Sequence, residues 1–130
     1  MQIQLEHIYY NDIHFSVKSL DKKITSKITV NLDFTSSIED KESKRFLITF
    51  FLKLENKNFK FDLSAIAQFL TDHELDEDFL ESSFCSINAP AIAFPYIRTY
   101  VSNITLNSGF NPIILPSFNF VNLHNEKKIE

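Results

Sequence analysis

The chain has one glycine, one cysteine, one methionine and no tryptophan in 130 residues. The shortage of glycine excludes whole classes of chemistry. A P-loop needs several glycines so that backbone N–H groups can approach phosphate, and a dinucleotide fingerprint needs three. Glycine-rich and collagen-like segments are excluded with them. The lone cysteine, Cys85, cannot form an internal disulfide. No run of about 18 apolar residues is present, so no membrane-spanning helix is expected. The first ten residues have neither the basic start nor the apolar stretch of a secretory signal. A soluble, cytoplasmic protein is the expectation. Basic residues are also short: 13 Lys and Arg stand against 17 Asp and Glu, for a net charge of −4. That disfavours a nucleic-acid binder, which carries a basic face. An acidic surface suits basic or unfolded protein partners, or serves solubility alone.

Phenylalanine is what the chain has in excess, at 14 of 130 residues. With 44% hydrophobic and 23% charged residues, intrinsic disorder is excluded. The length fits one domain over residues 1–130, able to bury a core without metal or disulfide. The first half alternates with the period of strands. Ile3 and Leu5 open a strand, the period stumbles over Ile8–Asp12, and it resumes at Ile13, Phe15 and Val17. Such a break predicts a β-bulge. Ile28, Val30, Leu32 and Phe34 make a second strand, and Ser36–Lys44 reads as a solvated loop. Phe46 to Leu54 and Phe59 to Ala65 alternate on either side of Asn56-Lys57-Asn58, which predicts a hairpin.

The second half changes to a helical period. Six acids lie between positions 72 and 81 with no Lys or Arg among them. At a helix N-terminus they complement the macrodipole. Thr71–Glu74 fits a capping box, and Asp76 is an alternative cap. Phe79, Leu80 and Phe84 are the apolar side of a short helix, which Asn88-Ala89-Pro90 should break. A long helix follows over about 91–108, with Phe94, Ile97, Val101 and Ile104 on one stripe and Tyr96 and Tyr100 beside it. Pro95 is placed in its first turns, Gly109 at its left-handed end and Pro112 just beyond. Residues 111–119 read as extended and packed, and 122–130 as a frayed tail. The fold expected is α+β: a four-stranded antiparallel sheet with a short and a long helix on one side.

No catalytic constellation emerges. His7, His14, His73 and His124 lack partners at metal-ligand spacing, so no metal and no cofactor are expected. Cys85 beside Phe84 reads as a small buried residue, not a nucleophile. A carboxylate pair chosen from the acidic run would be arbitrary. The chain is not expected to be an enzyme. The anomaly is apolar residues on both faces of the strands, with only two helices to cover a sheet. The excess, the phenylalanines above all, is expected to be buried against another copy or exposed as a binding surface.

Around the long helix the sequence becomes recognisable. Asn88-Ala89-Pro90-Ala91-Ile92-Ala93-Phe94-Pro95-Tyr96-Ile97-Arg98 resembles the Pro-x-Ile-Leu-Phe-Pro-Tyr-Ala-Arg stretch of SecB-type protein-export chaperones. Gly109-Phe110 and Pro112–Phe120, with its Pro-Ser-Phe-Asn-Phe ending, resemble the family's Gly-Phe step and its Pro-Val-Asn-Phe motif. The opening Gln2–Phe15 is similar to the family's first strand. The resemblance covers roughly residues 2–123 in order and spacing.

It implies an ATP-independent holdase that binds unfolded polypeptides in apolar grooves and passes them to the SecA motor ATPase for export. It also implies a homotetramer, a dimer of dimers with the long helices at the interface, where Tyr96, Tyr100 and Asn103 fall. Client-binding candidates are Ile28, Val30, Leu32, Phe79, Phe84, Ile114 and Phe120. Asp12 and Asp62 match acidic positions of the motor-binding face, while Ser16 and Lys60 stand where the family has a second acid and an apolar contact. Ala65–Phe69 replaces the family's Gly-Gly pair, and most of its C-terminal helix and acidic tail has no counterpart here. Some SecB-like proteins instead guard an antitoxin beside its toxin, which is the alternative reading, together with a homo-oligomeric binding module that is no chaperone.

Overall fold

A computed structural model describes residues 2–21, 27–40, 42 and 44–123. Four long strands come first: β1 Ile3–Val17, β2 Thr29–Asp40, β3 Arg45–Glu55 and β4 Phe59–Thr71. They form one antiparallel sheet in the order β1-β4-β3-β2. Two helices follow and pack on one side of it: α1 Glu77–Leu80 and α2 Ala89–Asn107. The architecture is the one expected from the alternation.

The strict period of β3 and β4 produces the core. Phe46, Ile48, Phe50, Leu52 and Leu54 lie opposite Phe69, Ala67, Ala65, Leu63 and Phe61, and all ten are buried. The two alanines leave room for α2 to approach, and the helix buries Ala93, Phe94, Ile97 and Val101 on the stripe seen in the sequence. The β3–β4 turn is held by Asn56, whose Oδ1 accepts from the backbone N–H of Asn58 at 2.8 Å and of Phe59 at 2.9 Å.

The stumble in β1 is two bulges, one between Leu5 and His7 and one between Tyr10 and Asp12. Each extra residue keeps the apolar set on the helix side: Leu5, Ile8, Tyr10, Ile13 and Phe15 all lie opposite helix-facing residues of β4. The first bulge also supplies a cross-strand clasp. The Glu6 carboxylate accepts from Arg45 Nε on β3 at 2.8 Å and from Gln68 Nε2 on β4 at 3.2 Å. The Arg45 bond, then the Gln68 bond, hold the Glu6 carboxyl below its ordinary value of 4.5. A carboxyl lowered by folding stabilises the fold fully above its unfolded pKa and loses that contribution as pH falls through the folded one. Glu6→Gln is therefore expected to lower the urea midpoint at pH 7. It should also flatten the loss of stability below about pH 4.5. A variant whose acid limb superimposes on the wild type would show that the clasp contributes nothing.

Four local expectations are corrected. Ser36–Asp40 is strand, not loop: Ser36 and Ile38 pair with Ile48 and Phe46, and the ladder outweighs the polar composition. The short helix is capped by Asp76, whose Oδ1 accepts from Phe79 N at 2.8 Å, while Thr71 ends β4. Asn88-Ala89-Pro90 does not break a helix, because a π-helical turn, Phe84–Asn88, runs straight into α2 at Ala89. Pro95 consequently lies inside α2 and not in its first turn, leaving the Ala91 carbonyl without its helical donor.

The glycine does what its place in the sequence suggested. Gly109 has φ +95°. Phe110 N–H donates to Thr105 O at 3.1 Å and Gly109 N–H to Leu106 O at 3.2 Å, the paired bonds of a Schellman end. Residues 111–119 then carry no regular secondary structure, and 120–123 make one helical turn instead of a frayed end. The rest of the expected tail, 124–130, lies outside the described residues.

The phenylalanine excess is also corrected. One layer of helix hides nearly all of it: only Phe51, on the outer face of the sheet, is exposed. Rings stack on rings, as in Phe46 on Phe69 at 5.1 Å and Phe15 between Phe59 and Phe61. The apolar groups left in water are aliphatic or tyrosine: Tyr9, Ile13, Val17, Leu20, Ile92, Tyr96, Leu106, Ile114 and Val121.

Candidate functional site

The long helix meets the edge strand β1 along a cleft of about 670 Å³. Leu5, Glu6, His7, Ile8 and Tyr10 line it from the strand, and Tyr96, Thr99, Tyr100 and Asn103 from the helix. All three residues expected at a subunit interface are here. Tyr10 and Tyr100 stack face to face, with ring centroids 3.9 Å apart and planes 13° from parallel. Burial, then the neighbouring Tyr100, pushes the Tyr10 hydroxyl up to about 12, so the Tyr10 ring stays neutral at physiological pH. The second bulge makes this contact possible, because it places Tyr10 on the helix side and Asp12 on the other.

Beyond the cleft, α2 shows water a stripe of Ile92, Tyr96, Thr99, Asn103 and Leu106. The spacing is four, three, four, three. That spacing is the one a helix uses where it packs on another helix, and the stripe carries no charge. A sequence reading could have found it from the same spacing, but the buried stripe at Phe94, Ile97 and Val101 is the stronger apolar signal.

The client-binding candidates fall into separate places. Val30 and Leu32 are half-buried on the helix-facing side of β2, the other edge of the sheet, and the half-buried Ile28 immediately precedes that strand. Phe79 lies in the core, edge-on to Phe46 at 4.9 Å, with the half-buried Phe84 ring beyond it. Phe120 is also buried, between Phe34 of β2 and Phe94 of α2. Ile114 stands alone at 78% exposed and lines a shallow pocket with Pro95, Arg98, Thr99, Ser102 and Leu115. Thr99 belongs to both this pocket and the cleft, so the two adjoin as one track across α2, with Glu6 and Arg98 as its charged groups.

Asp12 and Asp62 share the outer face of the sheet, on neighbouring strands, with Asp62 directly opposite His14. Asp12 contacts His14 Nε2 at 2.9 Å, and Asp62 lies 4.0 Å from Lys60 Nζ. Lys53 is opposite Asp62 on the other side. Ser16 and Lys60 are themselves paired across β1 and β4. This end of the face therefore mixes both signs of charge. Its middle is apolar, with Tyr9 and Phe51 exposed and Leu47 and Ile66 half-buried.

Cys85 is buried, and burial pushes its thiol up to about 12, which suits a packing residue. Among the described residues no three His, Cys, Asp or Glu side chains converge as metal ligands. No helix among them is long and apolar enough to cross a membrane.

Comparison with known proteins places this arrangement. The fold is shared by a SecB-like chaperone of Mycobacterium tuberculosis, solved in complex with a ChAD peptide from the HigA1 antitoxin. That match has a TM-score of 0.73 at 15% identity and covers 90% of each chain. A Streptococcus agalactiae protein of unknown function matches at a TM-score of 0.52 and 16% identity, over 90% of this chain and 98% of that one. In sequence, an uncharacterised protein of Methanocaldococcus jannaschii is 31% identical over 107 residues, 79% of this chain and 68% of that one. The protein-export protein SecB of Roseobacter denitrificans is 27% identical over 107 residues, 82% of this chain, and the match spans 54% of that protein's length. The family model for the preprotein translocase subunit SecB matches residues 1–130, and the chain belongs to the SecB family.

Proposed function

We infer that the protein is an ATP-independent holdase that binds unfolded polypeptides as a homotetramer, a dimer of dimers. The observation that supports this most is the track across α2 from the Tyr10–Tyr100 cleft to Ile114, along which Tyr96 and Ile114 are exposed. It is too extended and too open for one small ligand. Open apolar surface beside free sheet edges suits clients that share only exposed apolar side chains and unpaired backbone. Ile28, Val30, Leu32, Phe84 and Ile114 are the client contacts this reading favours at the surface, with Phe79 and Phe120 beneath them. Tyr96, Tyr100 and Asn103 are its subunit contacts.

The test is aggregation of chemically denatured clients, followed by light scattering without nucleotide. Several unrelated clients should stay soluble at about one tetramer per chain. If every one aggregates at the rate seen without the protein, the holdase reading falls.

Delivery to the export motor is the finer reading, carried by Asp12 and Asp62 through the family resemblance. Asp12→Lys with Asp62→Lys should weaken binding to the SecA motor and leave client binding intact. A second reading, a chaperone dedicated to one antitoxin, is favoured by the Ser16–Lys60 pair, which breaks the acidic face. Unchanged motor affinity in the double variant, with tight binding of one short segment and weak binding of others, would select that second reading.

A further inference from the structure

Thr105 is the only polar side chain buried in α2. It continues the stripe of Phe94, Ile97 and Val101, where an apolar side chain would serve packing alone. Its hydroxyl is fully used. Oγ1 donates to the carbonyl of Val101 at 3.0 Å or of Ser102 at 3.1 Å, and it accepts from the Ile113 N–H at 2.9 Å. Three residues earlier, the half-buried Ser102 donates from Oγ to the Ile113 carbonyl at 2.6 Å. Two hydroxyls of one helix thus take both backbone groups of a single residue.

The residue next to that clamp is Ile114. Ile113 and Leu115 are buried on either side of it, and Ile114 is more exposed than any other large apolar side chain among the described residues. Pro112 and Pro116 bracket the three and offer no N–H. Among the described residues, the two bonds to Ile113 are the only hydrogen bonds made by residues 111–116. A segment without a strand partner is therefore fixed to α2 at one point, immediately before Ile114. Ser102 serves twice, since it also lines the shallow pocket beside Ile114 with Pro95, Arg98 and Thr99. A lone exposed isoleucine is ordinary on a surface. One whose backbone is already fixed is pre-organised, and it loses less freedom when a partner covers it.

We propose that Thr105 and Ser102 are positioning residues for client binding, whose hydroxyls clamp Ile113 and so hold Ile114 out over α2 as a rigid apolar contact. This rests on the holdase reading. Neither hydroxyl has to touch the client. Both act through Ile114, so their effect on affinity exists only while that side chain is present.

A double-mutant cycle on the full chain decides it. A fluorescently labelled, reduced and alkylated globular protein serves as a permanently unfolded client, and its affinity is read by anisotropy. Ser102→Ala should weaken binding about two- to tenfold, the cost of ordering one side chain on binding. Ile114→Ala should weaken it at least as much, and the double variant should bind no worse than Ile114→Ala alone. Thr105→Val should match Ser102→Ala, and Thr105→Ser, which keeps the hydroxyl, should restore the affinity. Should Thr105→Val fail to fold, Ser102→Ala at its half-buried position carries the cycle. Wild-type affinity in Ser102→Ala, or losses that multiply in the double variant, overturns the positioning role and leaves the holdase reading standing. An affinity that falls only together with the assembled mass in light scattering places the hydroxyls at a subunit contact and overturns it too. If the wild type binds no such client at all, the holdase reading falls and takes this proposal with it.

Discussion

Phe46→Ala is expected to remove about 3–5 kcal/mol of folding stability, the largest loss from any single truncation in the sheet. Phe46 is fully buried near the start of the inner strand β3. It stacks on Phe69 of β4 at 5.1 Å, receives Phe79 of α1 edge-on at 4.9 Å and faces Ile38 of β2. One ring thus ties two neighbouring strands and a helix. Truncation loses its transfer free energy and leaves a cavity that a sheet on one side and a ring on the other cannot close. The two ring pairs add about 0.5–1.5 kcal/mol each beyond area burial. Urea denaturation should show a lower midpoint with little change in slope. Phe51→Ala is the control, since Phe51 lies one face away on the same strand and is 44% exposed. Its loss should stay near or below about 1 kcal/mol. Similar losses for the two would mean that the helix layer does not seal the inner face.

That contrast marks how far the sequence can be read. Alternation identifies the strands, and Phe46 and Phe51 fall on opposite faces in the sequence as in the structure. Alternation cannot say which face the helices cover, so it cannot tell that Phe46 is sealed and Phe51 wet. For the same reason the phenylalanine count pointed to a second layer that the fold does not need. The bulge was legible as a break of period, but its consequence was not. Only the pairing of Tyr10 with Ala65 places that ring on the helix side, where it meets Tyr100. Ser36–Asp40 was missed because its polar side chains conceal backbone pairing with Ile48 and Phe46. The helix junction was missed because Pro90 signals a break, and a π-helical turn beforehand absorbs it. Tyr96, Tyr100 and Asn103 follow from the family resemblance, and one cleft is lined by all three. Phe79 and Phe120 were chosen for size and apolar character, properties that core and binding surface share.

Tyr96→Lys is expected to split the assembly while leaving the protomer folded. Tyr96 is 60% exposed and is the second position of the Ile92, Tyr96, Thr99, Asn103, Leu106 seam. In a lone protomer a lysine there reaches water, so the urea midpoint should move by about 0.5 kcal/mol or less. In a helix–helix seam the same lysine meets only uncharged side chains. Burying one unpaired charge costs several kcal/mol, and a symmetric seam places two of them together. At about 1.4 kcal/mol per decade, the dissociation constant should rise at least roughly a hundredfold. Multi-angle light scattering at micromolar concentration should then give a mass of a dimer or a monomer, where the wild type gives a tetramer. An unchanged mass would remove the seam from the interface. The client assay on the same variant then separates two origins for the groove. If clients aggregate once the assembly is split, the track from the Tyr10–Tyr100 cleft to Ile114 is completed by a neighbouring subunit. If the split protein still holds them, each protomer carries a whole site.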